Sequence, residues 1–152
     1  METNDEFEFE CETCGVMFRE MLYEVAKEID RVHYREGAVE EVEILGGENL
    51  ANFCSKQCRN ATLVAVMARE GVPIKRVGVD PIEPCAKCGG PVDMSDYHLT
   101  YVEQDIKFLP TSAVPQDVDY LAVVCRNCAP VSGEQVVEVA TIETLQSSAV
   151  TK

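Results

Sequence analysis

Phe53-Cys54-Ser55-Lys56-Gln57-Cys58 runs directly into Arg59-Asn60-Ala61-Thr62-Leu63-Val64-Ala65-Val66-Met67-Ala68-Arg69-Glu70, and then into Gly71-Val72-Pro73. Ser55 is placed to accept a hydrogen bond from an orphan N–H of a first helical turn. Gly71 suits a left-handed C-terminal cap, and Pro73 blocks continuation, so the stretch predicts a helix over 56–70. Cys58 then lies in the first turn with Cys54 just outside it, and the two thiols offer half of a tetrahedral metal site. The middle of the helix, Leu63 to Ala68, is apolar all round, which predicts burial between two layers or, alternatively, a partner surface.

Three further cysteine pairs surround this one: Cys11 and Cys14, Cys85 and Cys88, Cys125 and Cys128, with no cysteine left over. A C-x₂-C turn brings two sulfurs to one metal while its backbone N–H groups face them. Gly15 and Gly89 each follow the second cysteine of their pair, where such a turn needs positive φ. Lys56, Arg59, Lys87 and Arg126 stand beside three of the pairs, whereas Glu12 sits inside the first. Four half-sites can combine sequentially, crossed or nested. Sequential pairing is expected, because the helix and a proline-containing connection separate the second pair from the third. Crossed pairing, the RING and FYVE arrangement, is the alternative, although no histidine occupies any of the eight positions.

Between Cys14 and Cys54 lie 39 residues, and between Cys88 and Cys125 lie 36. Both halves begin C-x₂-C-G and place a tyrosine nine positions later, Tyr23 and Tyr97, which suggests a diverged repeat. Residues 21–45 read two ways. Phe18, Met21, Leu22, Val25, Ile29 and Val32 fit a helical stripe, while Met21, Tyr23, Val25 and Ile29 also fit a strand leading to a turn at Glu36-Gly37 and to Val42 and Ile44. The matching stretch of the second half, Tyr97 to Phe108, is a clearer strand with Tyr97, Leu99 and Tyr101 on one face. By analogy the first half is expected to form a β-hairpin too. Val72 to Pro84 holds three prolines and reads as a connection, and Gln135 to Ile142 alternates as a strand. The organisation expected is a zinc module over 1–71, a connection over 72–84, a second zinc module over 85–142 and a loose tail over 143–152.

The 152 residues include no run of about 18 apolar residues, and the start shows neither a basic nor an apolar targeting segment, so a cytoplasmic protein with no membrane span is expected. In a reducing compartment, paired cysteines hold metal more often than they form disulfides. The formal charge is −14, and eight thiolates with two Zn²⁺ would lower it by a further four. Such a charge opposes binding to nucleic acid and favours basic partners. It is uneven: residues 1–45 carry fourteen Asp and Glu against four Lys and Arg, whereas residues 56–76 carry Lys56, Arg59, Arg69, Lys75 and Arg76 against Glu70 alone.

With Cys11 and Cys14 as the first knuckle and Phe53-Cys54-Ser55-Lys56-Gln57-Cys58 as the second pair, residues 9–70 resemble the treble-clef zinc fingers of FCSxxC type, such as the TRASH and MYM fingers. The resemblance implies a knuckle, a β-hairpin and a helix opened by the second pair. Cys85, Cys88, Cys125 and Cys128 resemble a zinc ribbon or rubredoxin-type site. The fold class expected is therefore α+β, with a treble-clef module followed by a mostly β ribbon. The cofactors expected are two zinc ions held by four cysteines each, with iron as the alternative at the second site.

All-cysteine sites leave no open coordination position for catalysis. Pro84-Cys85-Ala86-Lys87-Cys88 matches half of the zinc deaminase signature, but the H-x-E half is missing and His33-Tyr34-Arg35-Glu36 has the wrong spacing. No phosphate-binding or nucleophile motif is present, and His33 and His98 read as packing residues, so no enzyme is expected. The function expected is an acidic protein-interaction module, adaptor or inhibitor, for a basic partner. The alternatives are nucleic-acid binding through Lys56, Arg59, Arg69, Lys75 and Arg76, and a thiol-based redox sensor.

Overall fold

The structure is a computed structural model that describes residues 8–131; the strand expected over 135–142 and the tail 143–152 lie outside the described residues. Each half of the chain has one plan. A short hairpin, β1 (Phe9–Glu10) and β2 (Met17–Phe18), carries the first knuckle, and a long hairpin, β3 (Met21–Arg35) and β4 (Ala38–Phe53), leads to the second cysteine pair and to helix α1 (Lys56–Glu70). The second half repeats the order with β5 (Ile82–Pro84) and β6 (Pro91–Asp93), then β7 (His98–Phe108) and β8 (Ala113–Val124). The expected connection over 72–84 thus ends in a strand. The whole is an α+β arrangement dominated by sheet, and no described helix is long and apolar enough to cross a membrane.

The ambiguous segment 21–35 is a strand. Glu36 and Gly37 both take positive φ, 54° and 83°, which is the two-residue turn whose twist matches that of the paired strands. Tertiary pairing overrides the helical stripe, because β3 is bonded on both sides, to β4 and to β7. The four-stranded sheet has the order β4-β3-β7-β8 and is antiparallel throughout. It therefore crosses the boundary between the halves, with Lys27 opposite Tyr101 near its centre.

A pseudo-twofold relation ties the halves together. Val32 N–H donates to the Met94 carbonyl at 2.9 Å, and Phe108 N–H donates to the Glu20 carbonyl at 2.9 Å, so each long strand reaches across to the neighbourhood of the other half's knuckle. The outer strands are bulged in the same rhythm. Glu40, Leu45 and Leu50 are the extra residues in β4, and Gln116 and Leu121 those in β8, at five-residue intervals. Such bulges increase the right-handed twist and break up a long free edge.

Helix α1 lies on the face that carries Tyr23, Lys27, Tyr101, Glu103 and Asp105, which it meets through Arg59 and Glu70. Its caps are as the sequence predicts: Ser55 Oγ accepts from Cys58 N–H at 3.1 Å, and Gly71 closes the end at φ 73°. The expectation that the helix is buried between two layers is corrected. Leu63, Val66 and Met67 face the core, but Val64 is 70% exposed and Ala61, Ala65 and Ala68 also face solvent. Small alanines make the outer side look apolar in sequence while leaving little surface to hide. Phe53, Val25, Met67, Met94, Leu121 and Val123 anchor the core between sheet, helix and connection.

The opposite face of the sheet sets carboxylates among buried apolar side chains, Leu22, Ala26, Val102 and Ile106. Glu24 accepts from Asn49 at 2.6 Å and from Gln104 at 2.8 Å. Asp30 is 1% exposed, beside Glu28 and Thr100, and burial raises its carboxyl from 3.8 to about 6. The same carboxylates act on Tyr120, whose hydroxyl is pushed up to about 12, first by burial and then by the charges of Asp30 and Glu28.

Candidate metal centres

Each knuckle is a tight turn closed by its own backbone. Gly15 N–H donates to the Cys11 carbonyl at 2.8 Å and Gly89 N–H to the Cys85 carbonyl at 2.9 Å, with the glycines at φ 79° and 77° as the sequence requires. Cys11 N–H bonds the Val16 carbonyl, and Cys85 N–H that of Gly90. The knuckles are then fastened to the sheet by matching bonds: Glu12 N–H to the Asn52 carbonyl and Ala86 N–H to the Val123 carbonyl, both 2.9 Å. Asn52 and Val123 each lie two residues before the next cysteine, so these bonds bring the first pair of each half onto its second.

The pairing is sequential. The sulfurs of Cys11, Cys14, Cys54 and Cys58 lie within 4.8 Å of one another, as do those of Cys85, Cys88, Cys125 and Cys128. Cys14 and Cys54 are 3.7 Å apart, Cys54 and Cys58 3.8 Å, and Cys88 and Cys125 3.6 Å. A tetrahedron with metal–sulfur bonds of about 2.3 Å has edges of about 3.8 Å, which these three separations match. Two such clusters can hold two metal ions, and four thiolates without an open position make a structural rather than a catalytic set.

The electrostatics repeat from one cluster to the other. Burial acts to raise the Cys11 thiol, but N–H groups of Cys14, Cys54 and Thr13 outweigh it and lower it to about 6. At Cys85, burial is likewise outweighed by N–H groups of Cys125, Cys88 and Lys87, and the value is again about 6. In each cluster one thiol is thus lowered. Its partners are opposed: burial and then the neighbouring thiols push Cys54 to about 12, and the Cys125 thiol and burial push Cys128 to about 12. A divalent cation removes that conflict by replacing the protons, which makes binding release protons and weaken as pH falls.

Different devices hold the second pair in the two halves. Cys58 is fixed by the α1 cap, and the Thr13 hydroxyl donates to its carbonyl at 2.7 Å while lying 2.6 Å from the Thr62 hydroxyl. Cys128 instead closes a turn on the Cys125 carbonyl, 3.1 Å from its N–H, with Ala129 N–H on the same carbonyl at 2.9 Å. The cations beside the pairs mostly face protein carboxylates. Arg126 donates to Asp96 at 2.7 Å and to the Val131 carbonyl at 3.0 Å.

The basic strip is occupied in the same way. Arg59 is 5% exposed, and its guanidinium donates to Asp105 at 2.9 Å and to the Gln104 carbonyl at 3.1 Å. Its Nε lies 3.3 Å from Glu103 Oε1, close enough for ion pairing but out of line for a hydrogen bond. Lys56 reaches Asp105 at 3.6 Å, Arg76 reaches Glu103 at 2.6 Å and Arg69 reaches Glu12 at 2.8 Å. Of the five, Lys75 has no ion pair among the described residues; its backbone N–H donates to the Leu121 carbonyl. Sequence reasoning missed this network, although Glu103 and Asp105, alternating within an apolar strand, were its available signal. His98 is a buried packing residue with Nδ1 2.9 Å from the Asp96 carbonyl, and His33 pairs with Glu43 at 2.7 Å.

Comparison with known proteins finds no matching family model, no matching curated protein and no matching solved structure.

Proposed function

We propose that this is a non-enzymatic protein in which two structural zinc ions fasten the ends of a shared sheet, and whose acidic surface serves as an interaction module, adaptor or inhibitor, for a basic partner protein. One observation carries this reading: four of the five cations in the basic strip are spent on the protein's own carboxylates, while Glu36, Glu40, Glu41, Asp117 and Asp119 stand exposed. The net charge of −14 is therefore felt outside as a negative field. The same ion pairs deprive a nucleic-acid surface of its phosphate contacts, so protein binding is the better reading. For the first half, the order of knuckle, hairpin and cysteine pair opening a helix supports a treble-clef assignment. The setting expected is the cytoplasm, where thiols stay reduced.

Capture of partners by the immobilised, zinc-loaded protein at low and at high ionic strength tests the proposal. Basic proteins retained at low salt and released at high salt are the expected outcome. Retention of nothing, or of partners indifferent to salt, defeats it, and a salt-dependent shift with nucleic acid would favour the alternative.

A second reading, a thiol-based sensor, is favoured by the exposure of Cys14 and Cys88. Metal content per chain, measured after purification without chelator, tests the zinc reading on which both depend.

A further inference from the structure

The two centres are built on one plan, so where they differ the difference has consequences. Resting on the zinc reading above, we propose that Cys14 is a modification site: the thiolate at which a soft electrophile or a peroxide attacks the loaded protein, so that the first centre opens while the second stays closed.

Access narrows the choice to two sulfurs, because Cys14 and Cys88 are exposed and the other six cysteines are buried or half-buried. These two hold the same place in their knuckles, yet they are not equally protected. Gly90 N–H donates to Cys88 Sγ at 3.3 Å, whereas no backbone N–H of the described residues donates to Cys14 Sγ. An N–H donor draws electron density from a thiolate and blunts it as a nucleophile, much as outer-shell donors tune metal ligands generally.

The second difference lies in the sulfur that would answer an oxidised cysteine. Cys54, 3.7 Å from Cys14, is half-buried, while Cys125, 3.6 Å from Cys88, is only 8% exposed and lies in the core. With hydrogen peroxide as oxidant, Cys14 sulfur attacks one oxygen, the S–O bond forms, the O–O bond breaks and the other oxygen leaves as hydroxide. Cys54 thiolate then attacks that sulfur, the S–S bond forms and the remaining oxygen leaves as a second hydroxide. Two electrons have passed from two thiolates to the peroxide. The metal keeps only Cys11 and Cys58 and departs.

Opening this centre also frees the start of α1, since Cys54 and Cys58 bracket the Ser55 cap. The second centre has no helix to release among the described residues, where Cys128 closes a turn. The modification would thus be read out as movement of one end of the helix that covers the sheet.

The experiment uses the full chain, with its zinc content measured first. The loaded protein is exposed briefly to N-ethylmaleimide and separately to hydrogen peroxide, and labelled or linked cysteines are mapped by peptide mass spectrometry while released zinc is tracked with a chromogenic chelator. Cys14 labelled several-fold faster than Cys88, one zinc released before the other, and a Cys14–Cys54 disulfide after peroxide are the expected results. Equal labelling, labelling of Cys88 first, or simultaneous release of both metals overturns the inference and leaves the zinc reading intact. A chain that takes up no zinc under reducing conditions overturns the zinc reading itself.

Discussion

After Cys54 the chain enters a fifteen-residue helix, whereas after Cys125 it makes only a tight turn before Pro130. Up to those points the two halves agree in knuckle geometry, in the bond from knuckle to sheet, in bulge rhythm and in the crossing bond to the other half. A four-thiolate centre therefore does not dictate the conformation of the chain beyond its last ligand. Local chemistry does: Ser55 caps a helix, and Pro130 lacks the N–H that a continuing helix would use. Backbone bonds from knuckle to sheet hold each short hairpin in place, and the added helix covers one face of the sheet.

Removing a buried ligand from each half is the severest test of this contrast. Structural zinc contributes about 10 to 16 kcal/mol to folding in small zinc modules. Cys11→Ser and Cys85→Ser are each expected to lower the metal content from two ions to one. The first should also reduce helical circular dichroism, since α1 begins on the same centre, and the second should leave it largely intact. Equal helix loss from both variants would show that the halves do not keep their separate anchors.

Next in size is Arg59, the link from α1 of the first half to β7 of the second. Arg59→Ala removes the buried partner of Glu103 and Asp105, leaving them only the more exposed Arg76 and Lys56, and is expected to cost about 3 kcal/mol in denaturant unfolding. Arg76→Ala, which removes a half-exposed partner of Glu103, should cost about 1 kcal/mol or less. Similar losses from the two variants would mean that burial does not set the strength of this bridge.

Asp30 tests the opposite face of the sheet. Its carboxyl has a folded value of about 6 against 3.8 when free, so the native state keeps a proton that the unfolded chain has already given up. Stability from this group is present below about pH 4 and is lost as pH rises through about 6. The gap corresponds to about 3 kcal/mol at most. Asp30→Asn is therefore expected to stabilise the protein by about 1 to 3 kcal/mol at pH 8, with the gain over the parent shrinking toward pH 4. A gain that does not change with pH would point to another cause.

The smallest effect concerns the cap that one half has and the other lacks. Ser55→Ala removes the acceptor for Cys58 N–H and should cost about 1 kcal/mol while both zinc ions are retained. Loss of a zinc ion in this variant would show that the cap positions Cys58 rather than merely finishing the helix.

Much of the architecture was legible because it rests on short-range rules. The eight ligands, the positive-φ glycines at 15 and 89, the Glu36-Gly37 turn and the Ser55 and Gly71 caps come from spacing and backbone sterics. Segment 21–35 was not, since its side chains satisfy a helical and a strand period together. Only its likeness to Tyr97–Phe108 tipped the reading toward strand. The all-apolar look of Leu63 to Ala68 misled for a related reason: composition does not say which side of a helix meets the core.

Sequence alone was enough to pick out the four cysteine pairs, where α1 begins and ends, and that the charge is negative. The folded arrangement was needed to show that the two hairpins share one sheet, with Lys27 opposite Tyr101, and that four of the five cations of the strip pair with Glu12, Glu103 and Asp105. The physical reason is range. Caps, turns and knuckles are settled by neighbours a few residues away, whereas a strand's second partner and a buried ion pair depend on residues that meet only when the chain has folded.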